Sequence, residues 1–289
     1  MADDTAAGSA ERGPVHRGEF TVMAGISNAA QQATELIWMY DQYFWSKPLA
    51  RQLNARLVAQ PGLHLILILP PYADTSAGDA HLARRLALEL LTANGVGNRV
   101  GVYNMWLRQP PGNTPALNRG IYVHAKSHTY DDQLLVCGSA NLNRRSFLCD
   151  TELACAVLSN ALVQAHQQQL WAQLFPHTLW PLPPAVNYGA PGWGAQFFTQ
   201  FQAAQVAAVV AGDYRLIQDP WVANGLLPNN VRRPVSGFLG PDYATAMDPT
   251  SVTLLIENDP PQLVAEVPLD RIVTRLENTP NNNWEWRHW

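Results

Sequence analysis

A chain of 289 residues with 47% hydrophobic content can bury a sizeable core, and its formal net charge of −4 offers no broad basic surface to nucleic acid. Charged residues make up only 15%, and no run approaches the roughly 18 apolar residues of a membrane-spanning helix. Residues 1–19 carry acidic groups where a secretory signal needs basic ones and lack an apolar core, so a disordered leader on a cytoplasmic chain is expected.

From about Gly18 to Phe175 helix and strand signals alternate, which predicts an α/β architecture. A helix over Val22–Thr34 leads into a buried strand, Glu35–Tyr40. Ser46 and Pro48 suit a helix start, and Leu49, Leu53 and Leu57 recur on one face until Pro61-Gly62 stops the run. Leu63–Leu69 follows as a central strand. Asp79 suits the cap of a third helix carrying Leu82, Leu86 and Leu90, closed by Asn94-Gly95. Gly95 and Gly97 follow a helix instead of a strand, so a turn is expected there and not a phosphate cradle. Arg99–Asn104 is the next strand. Ser159 or Asn160 caps a helix that buries Val163, Leu170, Trp171 and Leu174 and ends before Pro176. Beyond it prolines and glycines mark an irregular extension over 176–289, with a helix at Phe197–Ala211 and strands at Val252–Ile256 and Leu263–Val267. Cys137, Cys149 and Cys155 form no C-x-x-C pair and are expected to be small buried hydrophobes.

One stretch carries the chemistry. His124, Lys126 and Asp131 stand as H-x-K-x4-D, and Gly138, Ser139 and Asn141 follow as G-S-x-N. On a strand His124, Lys126 and His128 share one face, which must then look into a polar pocket. An imidazole can attack phosphorus or protonate a leaving oxygen. The Lys126 ammonium and the Asn141 amide can bind non-bridging phosphate oxygens, Ser139 can hydrogen-bond nearby, and Gly138 allows a tight turn. Asp131 falls past the strand, where support suits it better than proton transfer. Glu152 can orient a histidine ring.

These residues resemble the HKD signature of the phospholipase D superfamily. GSANLNRRS followed by DTELA is similar to its phospholipase and cardiolipin-synthase branch, and so is Met39–Phe44. The resemblance covers about Gly18 to Phe175. It implies a mixed β-sheet flanked by helices over 20–175, with the irregular α+β extension after it. It also implies a phosphohistidine mechanism with no metal and no cofactor, in which His124, Lys126, Asp131, Ser139, Asn141 and Glu152 match the catalytic motif. Lys126, Asn141 and Gly138 are expected at the substrate.

The motif occurs once, whereas the family builds its centre from two. A second copy of the chain, or a partner HKD domain, is therefore expected to complete the site; a non-catalytic half is the third option. The substrate expected is a phospholipid or another phosphodiester, hydrolysed or transferred, with peripheral membrane contact. A homodimeric nuclease is the alternative, less favoured by the acidic composition. Trp45 and Trp106 are candidates for a lipid-access rim, and Trp284, Trp286 and Trp289 for a surface contact or ordinary closure onto the fold.

Overall fold

The computed structural model describes residues 20–71, 78–105, 121–143, 146–147, 150–175, 186–211, 213 and 215–219. The leader, Trp106, the strands expected beyond residue 250 and the three C-terminal tryptophans lie outside the described residues.

Apolar runs bounded by caps and turns form the elements in the order α1 (Thr21–Gln32), β1 (Leu36–Asp41), α2 (Lys47–Ala59), β2 (His64–Leu69), α3 (Gly78–Thr92), β3 (Val100–Met105), β4 (Lys126–Tyr130), β5 (Leu134–Gly138), β6 (Ala154–Leu158), α4 (Asn160–Leu174), α5 (Trp193–Val210) and β7 (Leu216–Gln218). Ser46 caps α2, its hydroxyl accepting from Leu49 N at 3.3 Å, with a proline in the first turn. Ser159 caps α4 in the same way through Leu162 N. After α3, Asn94 and Gly95 take positive φ and turn the chain, so the loose G-x-G is a helix exit.

The seven strands form one mixed sheet in the order β6-β5-β4-β1-β2-β3-β7. β1, β2 and β3 are parallel; β4, β5 and β6 extend the sheet antiparallel on one side, and β7 pairs antiparallel with β3 on the other. The architecture is α/β with helices on both faces. α5 and β7, both beyond Phe175, lie on this same sheet.

Alternation along the strands divides two cores. Ile37, Met39, Leu65, Leu67 and Val102 meet Ile26 of α1, Leu53 and Leu57 of α2, and Leu88 and Leu91 of α3. On the other face Leu36, Trp38, Ile66 and Tyr103 meet Trp171 of α4 and Trp193, Phe197 and Phe201 of α5. Each fully buried side chain of this size contributes about 1.5–3 kcal/mol of transfer free energy. The α3 side facing the core differs from the expected one: Ala87, Leu88 and Leu91 are buried, whereas Leu86 and Leu90 are only partly so. A helix with leucine at 86, 88, 90 and 91 has no single apolar stripe, and packing on α2 selects the side.

Two carboxylates tie the start of β1. Asp131, in the β4–β5 turn at φ +52°, accepts from Glu35 N at 2.8 Å, Leu36 N at 2.9 Å, and the Thr34 amide and hydroxyl. Glu35 reaches the N-terminus of α5, where its carboxylate accepts from Gly192 N at 3.0 Å and Gly194 N at 3.1 Å.

Candidate active site

The parallel strand β1 ends where the antiparallel β4 begins, so Asp41 and Lys126 sit opposite each other at one edge of the sheet. β5 ends and β6 begins at the same edge, because β5 runs antiparallel to β4 and β6 to β5. The polar residues of the sequence motif other than Asp131 gather along it.

His124 lies before β4 and not within it, and it is exposed; its ring stacks on that of Tyr122 at 5.7 Å and 21°. The expectation that His124, Lys126 and His128 form one strand face therefore holds for the last two only. Lys126 is nearly buried, and its Nζ donates to Gln42 Oε1 at 2.8 Å and to the His124 carbonyl at 3.2 Å. Gln42 also donates through Nε2 to the Tyr122 hydroxyl. Gln42 thus joins the ammonium of Lys126 to the ring stacked against His124.

Beneath Lys126 on the same face, His128 Nε2 donates to Asp41 Oδ2 at 2.8 Å, with both groups buried. His128 Nδ1 is buried with no partner among the described residues. The hydrogen bond to a carboxylate oxygen makes Nε2 the donor nitrogen of this ring. Complete burial pushes the Asp41 carboxyl up from the usual carboxylate range; His128 and the Tyr43 and Leu142 amides pull it partly back. Asp41 Oδ1 accepts from Tyr43 N at 2.9 Å and weakly from Leu142 N at 3.4 Å. Leu142 O in turn accepts from Trp45 N and Ser46 N. These contacts lay the segment carrying Asn141 beside the end of β1. Asn141 Oδ1 is buried and has no hydrogen-bond partner among the described residues.

At the next strand end, Ser139 donates its hydroxyl to the Glu152 carboxylate and accepts from Leu153 N at 3.0 Å. Ser139 N donates to Leu153 O at 2.9 Å, which closes the loop between β5 and β6. Gly138 is required at this crossing, since a Cβ there would stand 2.2 Å from Leu153 O.

His124, Lys126, Asn141, Ser139 and Glu152 therefore lie along one edge, and Asp131 does not join them. Asp131 sits past the far end of β4, occupied by backbone amides. Gln42, Tyr122 and the Asp41–His128 pair were not assigned roles from sequence. The available signal was an Asp-Gln pair ending an otherwise apolar strand. Trp45 is 7% exposed and stacks on Tyr43 at 4.1 Å, so it packs inside and forms no rim; Tyr122, at 46%, and Leu153, at 75%, are the exposed apolar side chains flanking His124 and Glu152 in sequence. Cys155 is exposed and Cys137 half-buried, against the expectation that both are core.

Solved structures similar to this chain include NucT from Helicobacter pylori, with 16% identity over 56% of this chain and 91% of that one, at a TM-score of 0.41. Nuc from Salmonella typhimurium, a phospholipase D family member, shares 17% identity over 52% of this chain and 87% of its own, at 0.38. Phosphatidylserine synthase from Haemophilus influenzae Rd KW20 shares 17% identity over 65% of this chain and 44% of its own, at 0.40. No curated protein matches. The family described as "Cardiolipin synthase, PLD-like domain" matches residues 26–174, just over half the chain and the span holding the whole polar edge. This chain belongs to the phospholipase D-like superfamily of phosphodiesterases.

Proposed function

We propose that this chain is a phospholipase D-type phosphodiesterase that hydrolyses or transfers a phosphatidyl group, with His124 as its nucleophile or general acid. The observation that carries this reading is an exposed imidazole two residues from a lysine whose ammonium is held in place by Gln42. In the first step a histidine nitrogen bonds to phosphorus while the ester P–O bond breaks. The departing alcohol takes its proton from a histidine on the opposite side. Water or a second alcohol then gives that histidine its proton and attacks phosphorus, and the P–N bond breaks. Lys126 and the Asn141 amide hold the non-bridging oxygens, Gly138 leaves room for the close strand crossing, and Glu152 orients a ring. Asp131 supports from a distance by fixing β1.

One motif supplies one histidine, so a second copy meeting the first about a two-fold axis, or a partner HKD domain, completes the site. A two-fold contact places His124 of one copy opposite His124 of the other. The exposed Tyr122 and Leu153 and the net charge of −4 favour an amphiphilic ester over a polynucleotide. Light scattering of the purified chain, combined with turnover of a chromogenic phosphodiester, a short-chain phosphatidylcholine and single-stranded DNA, tests the reading. Specific activity is expected to fall on dilution through the dimer dissociation constant, with the lipid as the preferred substrate. An active monomer overturns the shared site, and preference for DNA overturns the substrate assignment.

A further inference from the structure

The loop that carries Ser139, Asn141 and Glu152 begins just after Cys137 and ends just before Cys155, and those two cysteines are direct partners across β5 and β6. Directly opposed residues of an antiparallel pair present their side chains on the same face. The amide of Ser139 donates to Leu153 O two positions along, so by alternation Cys137 and Cys155 form the closely bonded type of pair, with Cα atoms about 5.5 Å apart. That separation lies within the range a disulfide spans. Both thiols are free, Cys155 exposed on an edge strand and Cys137 half-buried between it and β4.

We propose that Cys137 and Cys155 are a dithiol–disulfide redox site, oxidised by low-molecular-weight disulfides, that closes a covalent ring around the loop bearing the site residues. The Cys155 thiolate attacks a sulfur of the small disulfide and expels one thiol, leaving a mixed disulfide on Cys155. The Cys137 thiolate then attacks Sγ of Cys155 and expels the second thiol. Two cysteine protons end on the two departing thiols, and the protein is oxidised by two electrons while the small disulfide is reduced. Cross-linking removes freedom from the unfolded loop, so the oxidised form is the more heat-resistant one. The edge strand β6, which among the described strands pairs with β5, is fixed to the sheet at the base of the Ser139–Glu152 contact.

The test equilibrates the full chain with glutathione disulfide and glutathione at graded ratios, and it needs no turnover, so its result is independent of the proposed catalytic reading. Expected are loss of two hydrogen atoms from the intact mass, loss of two of the three alkylatable thiols, and a proteolytic peptide joining residue 137 to residue 155. The melting temperature is expected to rise by about 5 °C. Cys155→Ser, an exposed change, is expected to abolish all four responses in a folded protein. Both thiols remaining free in excess glutathione disulfide overturns the proposal. So does a stable mixed disulfide, a bridge to Cys149 or between chains, or an unchanged response in Cys155→Ser.

Discussion

The two ends of strand β4 hold polar residues of one short sequence motif, yet they do opposite things. At the Lys126 end a cation, an amide and a phenol form an open chain that terminates at an exposed imidazole. At the Asp131 end a carboxylate is occupied by backbone donors from Thr34, Glu35 and Leu36. The ammonium is held by Gln42 and the His124 carbonyl at one end, and the carboxylate is taken up by backbone donors at the other. Residues a few positions apart in one motif thus have different surroundings, set by which strand end each occupies.

Substitutions at the two ends should separate cleanly. The largest effect is expected at the open end: His124→Ala lowers phosphodiester turnover by about 10⁴-fold or more, as loss of a nucleophile does elsewhere, with the melting temperature unchanged. Lys126→Met costs less, about 10²–10³-fold in kcat, the loss typical of one oxyanion donor. A folded His124→Ala enzyme with normal turnover would erase the distinction. At the closed end Asp131→Ala is expected to cost about 2–3 kcal/mol of stability, from lost charge-assisted hydrogen bonds and the left-handed backbone. Its kcat should remain normal well below the melting point. Asp131→Asn, which tolerates positive φ and keeps an acceptor, should recover part of that loss; calorimetry beside kinetics decides both.

The smallest effect concerns pH. Burial holds the His166 and His64 rings below the ordinary imidazole range. Their folded values lie under the unfolded one of about 6.5, so the unfolded chain takes up protons first as pH falls. The stability tied to them is present above that value and is lost as pH falls through it toward the folded values. His166, which meets Ser127 Oγ at 2.8 Å on the far face of the sheet, is away from the polar edge. His166→Gln should therefore flatten the acid side of the melting curve against pH and leave the pH profile of turnover in place. A shifted turnover profile would show that the faces are coupled.

Elements with a cap and a single apolar period were legible in the sequence. α2 shows its Ser46 and its leucines at 49, 53 and 57; α4 shows its Ser159 and the buried Leu170, Trp171 and Leu174. The three residues of β7 carry too little pattern to be seen, and α3 has leucines on several sides. At the site, the motif named which residue types matter but not which strand end each occupies. The partnership of Gln42 with Lys126, and of Asp41 with His128, arises only when β1 and β4 pair antiparallel across more than eighty residues. No local spacing encodes that register. The exposed edge position of Cys155 was likewise hidden, because burial at a sheet edge depends on what fails to pair beyond it.

Because Asp131 fastens the entry of β1, and Glu35 at that entry caps α5, one motif aspartate helps fix a strand and, through its neighbour, a helix whose N-cap lies 157 residues further along the chain. In this chain the aspartate of the motif is taken up by the scaffold.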